Sequence, residues 1–454
     1  MALSRQSSKV GNWQALVACF LYFDTGFMVL ILYGPIAPFI GRSIVMTAAE
    51  QGLLVSVPFL SAAILRVVFG NLYQAADGRL IALLGITLSA LPSLIVPLVP
   101  GTPSYTLLLI LGVFLGVGGA SFAIALPMAG ANFPPRMQGL VLGLAGAGNI
   151  GAVLDGFLLP GIAQAYGWQN AIFAAAPLLL IAAVVVTCWA RDPVAKHDKP
   201  APTVIRGAFA IAGLLALVNA VHACLPGTGR TTTVLLPALC ALLALALASG
   251  SHQAVLKERD TWIVMLVYSI TFGGYVGISS YAGTFLTSEY DISALDAGRW
   301  MAALACAGAL LRSVGGLLAD RIGGARVLTV IFVFIAGCDF AFWIASPNYH
   351  GALLLLTIMS GCFGLDNGAT FQLVPHRWYG RTGIMAGVIA TAGGVGGFYF
   401  PVVMGMVKDA TGTYQPAFGI LALITLVALT LICMLRRQWR SWDVPRSAHA
   451  EART

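Results

Sequence analysis

Two arginines stand inside long apolar runs, Arg66 in VSVPFLSAAILRVVFG and Arg312 in WMAALACAGALLRSVGG. A guanidinium placed mid-bilayer costs roughly 2.5–3.5 kcal/mol on insertion scales, so such residues are rarely idle. Two of them at matching places in the two parts of one chain suggest a fixed positive site, and the ligand of a positive site is an anion. The guanidinium fork matches a planar oxyanion two oxygens at a time. The bland alternative is a structural ion pair with one of four acids in apolar runs: Asp24, Asp155, Asp339 and Asp366. Asp155 and Asp339 lie nearer the run ends, where water is the expected neighbour. Asp24 and Asp366 lie deeper. An acid balanced between burial and a nearby arginine can carry a proton, with Asp24 the first candidate and Asp366 the second.

These residues need apolar elements to hold them. The chain has 454 residues, 59% hydrophobic and 9% charged, whereas a soluble domain is about 25% charged. Spanning helices need about 20 apolar residues each. Such runs fall near 13–34, 52–73, 80–99, 104–128, 138–160, 169–190, 207–225, 231–250, 261–286, 297–318, 327–345, 351–374, 383–406 and 416–435, fourteen in all. They are long and unbroken, which excludes the short alternating strands of a barrel. The expected fold class is an all-α integral membrane protein.

The net charge of +8 does not point to nucleic acid, because of where the charge sits. With the N-terminus inside, external segments hold only Arg42, Arg230, Arg299 and Lys408. Cytoplasmic segments hold the rest of the basic residues outside the membrane, from Arg5 and Lys9 to Arg446 and Arg453. That is the positive-inside pattern, with both termini cytoplasmic. The eight cysteines fall in or at the ends of apolar runs and read as packing residues. The six histidines lie in linkers or at span ends without metal spacing, and no phosphate loop is present. No enzyme, metal or cofactor is expected.

The chain repeats at long range. GASF at Gly119–Phe122 returns as GATF at Gly368–Phe371, and Leu65–Arg66 returns as Leu311–Arg312. Phe23 and Phe27 match Tyr268 and Phe272; GLVLG from Gly139 matches GIMAG from Gly383. All occur in the same order. They imply a six-helix bundle over 1–190 and a second over 261–435, with a site at their interface. Between them, 191–260 reads as a charged, proline-rich linker followed by an inserted two-helix hairpin turning at PGTGRTTT, the alternative being a single re-entrant or surface hairpin. Residues 436–454 read as a cytoplasmic tail.

Two glycine-rich helices stand out, GLVLGLAGAGNIG at Gly139–Gly151 and GIMAGVIATAGGVGGFYFP at Gly383–Pro401. Glycines at helical spacing let backbones approach closely, for packing alone or for sliding and for contact with an anion. Asn149 among them is helix glue or a ligand donor.

GLLADRIG at Gly316–Gly323 resembles the cytoplasmic loop motif of the major facilitator superfamily, where Asp320 and Arg321 would latch neighbouring helix ends. The copy at Gly70–Arg79 has lost its Asp-Arg pair. The set as a whole resembles the nitrate/nitrite porter family of that superfamily. The resemblance rests on Arg66, Arg312, AGAGNIG at Ala145–Gly151, AGGVGGF at Ala392–Phe398, ITFGGYVGIS at Ile270–Ser279, GVGGASFA at Gly116–Ala123 and FPPRMQG at Phe133–Gly139. It covers about 1–190 and 260–435. It implies that Arg66 and Arg312 bind substrate oxygens and that Tyr268 donates a hydrogen bond. It also implies that Phe23, Phe122 and Phe272 wall the site and that Asn149 lines it. The implied partners are nitrate, nitrite and the lipid bilayer; the proton as coupling ion comes from the buried acids, since members of the family that exchange nitrate for nitrite need none. The expectation is a monomer in the cell (inner) membrane that moves these anions by alternating access. Exchange of nitrate for nitrite, transport of another small anion, and a membrane nitrate sensor are the alternatives.

Overall fold

The structure, a computed structural model, describes residues 11–134, 137–146, 148–193, 200–247, 250–378 and 381–439. Pro135, Arg136, Ala147, the linker 194–199 and the tail from 440 onward lie outside the described residues. Twelve helical segments among the described residues are long and apolar enough to cross a membrane. Spans 1 to 6 are Trp13–Ser43, Ala48–Ala75, Gly78–Leu98, Tyr105–Ala131, Leu144–Tyr166 and Trp168–Trp189. Spans 7 to 12 are Arg259–Tyr290, Ala294–Ile322, Gly324–Ala345, Tyr349–Arg377, Ile384–Thr411 and Gln415–Trp439.

The inserted hairpin is not formed, so the count of fourteen spans is corrected. Residues Pro200–Leu247 make one continuous helix of 48 residues, and only Val204–Ala220 is a short apolar stretch. Arg230 therefore lies within a helix and not in a loop. Turn residues bias the backbone but do not compel it. Alanine and leucine dominate both flanks, and their helix preference carries through the segment. One stripe of this helix, Gly207, Ala210, Leu214 and Val218, is buried, with Gly207 against Val68 of span 2.

Several spans are interrupted where their sequences cannot support a full helical ladder. Span 1 is two helices, Trp13–Ile31 and Tyr33–Ser43, and Pro35 and Pro38 lack the N–H groups a continuous ladder would need. Span 4 breaks between Gly119 and Phe122 at the run GGAS. Span 5 breaks before Gly151. A broken ladder leaves backbone groups without intrahelical partners, and the breaks in spans 4 and 5 lie at the site.

The halves meet mainly in the part of the membrane away from the termini. Gly34 of span 1 lies on the backbone of Ser280 in span 7, Gly52 of span 2 on Pro401 in span 11, and Gly156 of span 5 on Ala302 in span 8. At the membrane face there, Asp409 of span 11 accepts hydrogen bonds from the Ala48 and Ala49 amides, at 3.0 and 2.8 Å. Those amides begin span 2, where a helix leaves its first N–H groups unpaired and favours negative charge. One carboxylate thus ties the second half to the first.

Asp409→Ala should weaken this closed side by about 1–2 kcal/mol, the cost of losing a side chain that caps a helix N-terminus. A cysteine replacing the buried Val402 reports it, with the exposed Cys188 and Cys433 changed to serine. Maleimide labelling of Val402→Cys should rise roughly 5- to 30-fold in the Asp409→Ala background; an unchanged rate would show that Asp409 holds nothing shut.

Candidate functional site

Arg66 sits two thirds along span 2 and is 4% exposed. Its Nε donates to the Gly119 carbonyl at 3.0 Å. That carbonyl is free because of the break in span 4: the Ala123 amide, its helical partner, donates to Ala120 instead. A second donor of Arg66 reaches the Ala390 carbonyl of span 11, in the other half. Among the described residues no carboxylate pairs with Arg66 or with Arg312, so the ion-pair alternative does not hold. Backbone dipoles of both halves orient Arg66 while leaving its net charge unneutralised.

The aromatic rings complete the setting. The Arg66 guanidinium carbon lies over Phe122 at 5.8 Å and over Phe272 at 5.7 Å. Arg312, partly exposed, lies over Phe371 at 5.5 Å. Phe122 and Phe371 meet across the interface with centroids 6.4 Å apart. Tyr268 stacks on Phe272 at 5.1 Å and meets Phe371 edge-on at 5.3 Å. Phe23 packs on Phe122 at 5.5 Å, and Phe27 on Phe272 at 6.5 Å. Each arginine is thus placed over the phenylalanine of its own half, and the two phenylalanines touch. The Tyr268 phenol lies near both guanidiniums. Ring faces hold a cation at about 6 Å or less with 0.5–2 kcal/mol and no proton acceptor, so they fix the arginines without quenching them.

Tyr268, Phe272, Phe122 and Phe23 are therefore brought together with the arginines. Asn149 is 2% exposed in the break of span 5; its neighbour Gly148 lies against Phe23. The side-chain amide oxygen of Asn149, Oδ1, has no partner among the described residues. Phe27 and Phe371 were not expected in the site, yet both belong to it. The repeat carried that signal, since Phe371 is the mate of Phe122 and Phe27 the mate of Phe272.

The acids fall in different places. Asp24 accepts a hydrogen bond from the Gly151 amide at 2.7 Å, capping the second helix of span 5. Asp366 is fully buried; one oxygen takes hydroxyls from Thr271 and from Thr370, the latter at 3.2 Å, and the other has no partner among the described residues. Asp155 and Asp339 do not reach water: they are 2% and 1% exposed. Asp339 takes the Thr425 hydroxyl at 3.1 Å, a hydrogen bond between spans 9 and 12. The expected latch is also open in this conformation. Asp320 and Arg321 are exposed and make no ion pair among the described residues. Charges nearby do pair: Arg377 binds Glu258 and Asp260, each at 3.0 Å, and Arg381 binds Glu258 at 2.7 Å. In the first half Asp192 takes the Gly78 amide at 2.7 Å and the Tyr73 hydroxyl at 3.2 Å.

The glycine-rich helices owe their composition to this crowding. A Cβ on Gly396 would lie 1.9 Å from the Ser269 carbonyl, next to Tyr268. A Cβ on Gly151 would lie 2.6 Å from the Asp24 carbonyl. Both clashes are with backbone, which cannot swing aside.

Two helical bundles with an internal repeat and a cationic site at their interface are the architecture of a membrane transporter. A model of the Major Facilitator Superfamily matches residues 15–401. The "Probable nitrate/nitrite transporter NarK2" of Mycobacterium tuberculosis is 31% identical over 420 residues, 91% of this chain and 94% of that one. The "Nitrite extrusion protein" of Bacillus subtilis is 27% identical over 428 residues, 94% of each chain. A bacterial homolog of the human lysosomal transporter Spinster, in an inward-facing unoccupied conformation, has the same fold, with a TM-score of 0.69 at 14% identity over 97% of this chain and 99% of that one. The chain belongs to the nitrate/nitrite porter family of the major facilitator superfamily, a family of transporters and not of enzymes.

Gly396→Ala should lower stability by about 1–3 kcal/mol, the usual cost of overpacking, and pull Tyr268 from its place. A melting temperature in detergent equal to that of the unaltered protein would mean that span 11 moves aside freely.

Proposed function

We propose that the protein transports nitrate, and nitrite with it, by alternating access of its two halves to a site between Arg66 and Arg312. The observation that carries this reading is a pair of guanidiniums over touching phenylalanines with no carboxylate partner among the described residues. Two like charges repel, and a monovalent oxyanion between them removes the repulsion. A planar ion fits between ring faces and meets a guanidinium fork with two oxygens. The names of the relatives support the same ligand.

The direction of the cycle follows from topology. With both termini cytoplasmic, as the basic residues indicate, the closed side held by Asp409 is external and the chain faces inward. The multi-pass protein belongs in the cell membrane and acts as a monomer. Rocking of one half on the other would part the Asp409 contact and close the terminal side, where Asp320 and Arg321 would then find partners.

Uptake against a membrane potential needs a co-transported cation, and we assign the proton to Asp24, with Asp366 second. Asp24 lies beside Phe23 of the site. It is held by a backbone amide, so an asparagine in its place keeps the acceptor and loses only the proton.

Lysine keeps the charge of arginine and loses its fork. Arg66→Lys and Arg312→Lys should each weaken nitrate binding by roughly 1.5–3 kcal/mol, or about 10- to 100-fold, and cut transport accordingly. Near-normal uptake by both would overturn the two-point site. Asp24→Asn should spare nitrate/nitrite counterflow in proteoliposomes and remove accumulation driven by an imposed inward proton gradient. If the unaltered protein shows no stimulation by that gradient, it is an exchanger and the acids are structural.

A further inference from the structure

Asp155 has no part in the anion site, yet it is a carboxylate 2% exposed with one oxygen lacking any partner among the described residues. An unpaired ionised carboxylate in such a place would cost several kcal/mol, so a group there either holds a proton or takes a cation. Its position is specific. The Gly151 amide that donates to Asp24 begins the helix Gly151–Tyr166. Asp155 is four residues further on, and residues four apart share a helix face about 5–6 Å apart. Asp24, held at the Gly151 amide one turn back, is the carboxylate on the adjoining helix. The other charged groups of the packed helices are Arg42 of span 1 and the Asp296–Arg299 pair of span 8, exposed at the far membrane face, Arg312 of span 8 over Phe371 in the anion site, and Asp320 and Arg321 at the opposite end of span 8.

The next residue explains how Asp155 meets water. Gly156 packs on Ala302 of span 8, and Pro160, one turn on, packs on Gly298. This is a seam between the halves on the side away from the termini. Asp155 borders the seam, and Asp24 lies deeper beside Phe23. When the halves part on that side, water reaches Asp155 before it reaches Asp24.

We propose that Asp155 is the proton-loading carboxylate of a relay that feeds Asp24. With the seam open, Asp155 takes a proton from external water. While the seam is still open, the O–H bond at Asp155 breaks and one forms at Asp24, and a second proton from external water restores the O–H at Asp155, so that Asp155 enters the closed state neutral. The proposal rests on the proton-coupled reading above.

The test uses the full chain in proteoliposomes and reads two activities separately, nitrate counterflow and nitrate accumulation driven by an acid exterior. Asp155→Asn should keep counterflow within about 2-fold and lose at least 10-fold in gradient-driven accumulation, and Asp155→Glu should restore part of it while shifting the external pH of half-maximal uptake. If the gradient stimulates the unaltered protein and Asp155→Asn alike while Asp24→Asn is unresponsive, the relay is overturned and proton coupling stands. No stimulation of the unaltered protein overturns both, as does stimulation by a sodium gradient in place of a proton gradient. Loss of counterflow in a well-folded Asp155→Asn would make Asp155 structural. Should Asp155→Asn fail to fold, Asp155→Glu decides: an unchanged pH profile overturns the relay.

Discussion

A buried guanidinium with no acid beside it among the described residues is the constraint on which the architecture depends. Arg66 is out of water and keeps its charge, so it must be solvated by something that does not cancel it. Two backbone carbonyls and two ring faces do this. The Gly119 carbonyl is available only because span 4 breaks where it does. The break lies in GGAS, a run with poor helix preference, and it places Phe122 at the start of the next helix under the same arginine. Solvation by dipoles and quadrupoles holds the side chain in place and leaves the field for a ligand.

The internal two-fold is kept in the rings and abandoned elsewhere. Phe122 with Phe371 and Phe27 with Phe272 preserve it, which places the two arginines on equivalent perches. Around them the halves differ. Arg66 is clamped by carbonyls of both halves and buried, whereas Arg312 is partly exposed and lies with Tyr268. On the first-half side the crossing of spans 1 and 5 carries Asp24 and its amide donor. At the equivalent crossing of spans 7 and 11, Ser269 offers its backbone to Gly396. An anion site can be symmetric, but coupling to a second ion needs chemistry in one half that the other lacks.

Ion pairs and caps away from the site mostly stay within a half. Glu258, Asp260, Arg377 and Arg381 tie the loop before span 7 to the end of span 10 and the start of span 11. Asp192 ties the end of span 6 to the turn before span 3. Asp409 is different, because it crosses between halves at one membrane face. Networks confined to a half favour its motion as a unit, and a single exposed crossing contact can be broken at little cost.

The class of fold, the two bundles and the arginine pair were legible in the sequence because each is a local or periodic property. Apolar run length, basic charge in alternate loops, and repeated short motifs all survive without knowledge of packing. The repeat even contained Phe27 and Phe371, unrecognised until their rings were seen against Phe272 and Phe122. Three things were decided only by tertiary structure. The inserted segment is one helix, because turn residues without packing to fold them back do not overcome helix-forming flanks. Asp155 and Asp339 are buried, because distance along a span says nothing about what surrounds a side chain. Among the described residues the arginines are free of acids, because partner choice depends on which faces of different helices meet, and that is set by glycine contacts between backbones far apart in the chain.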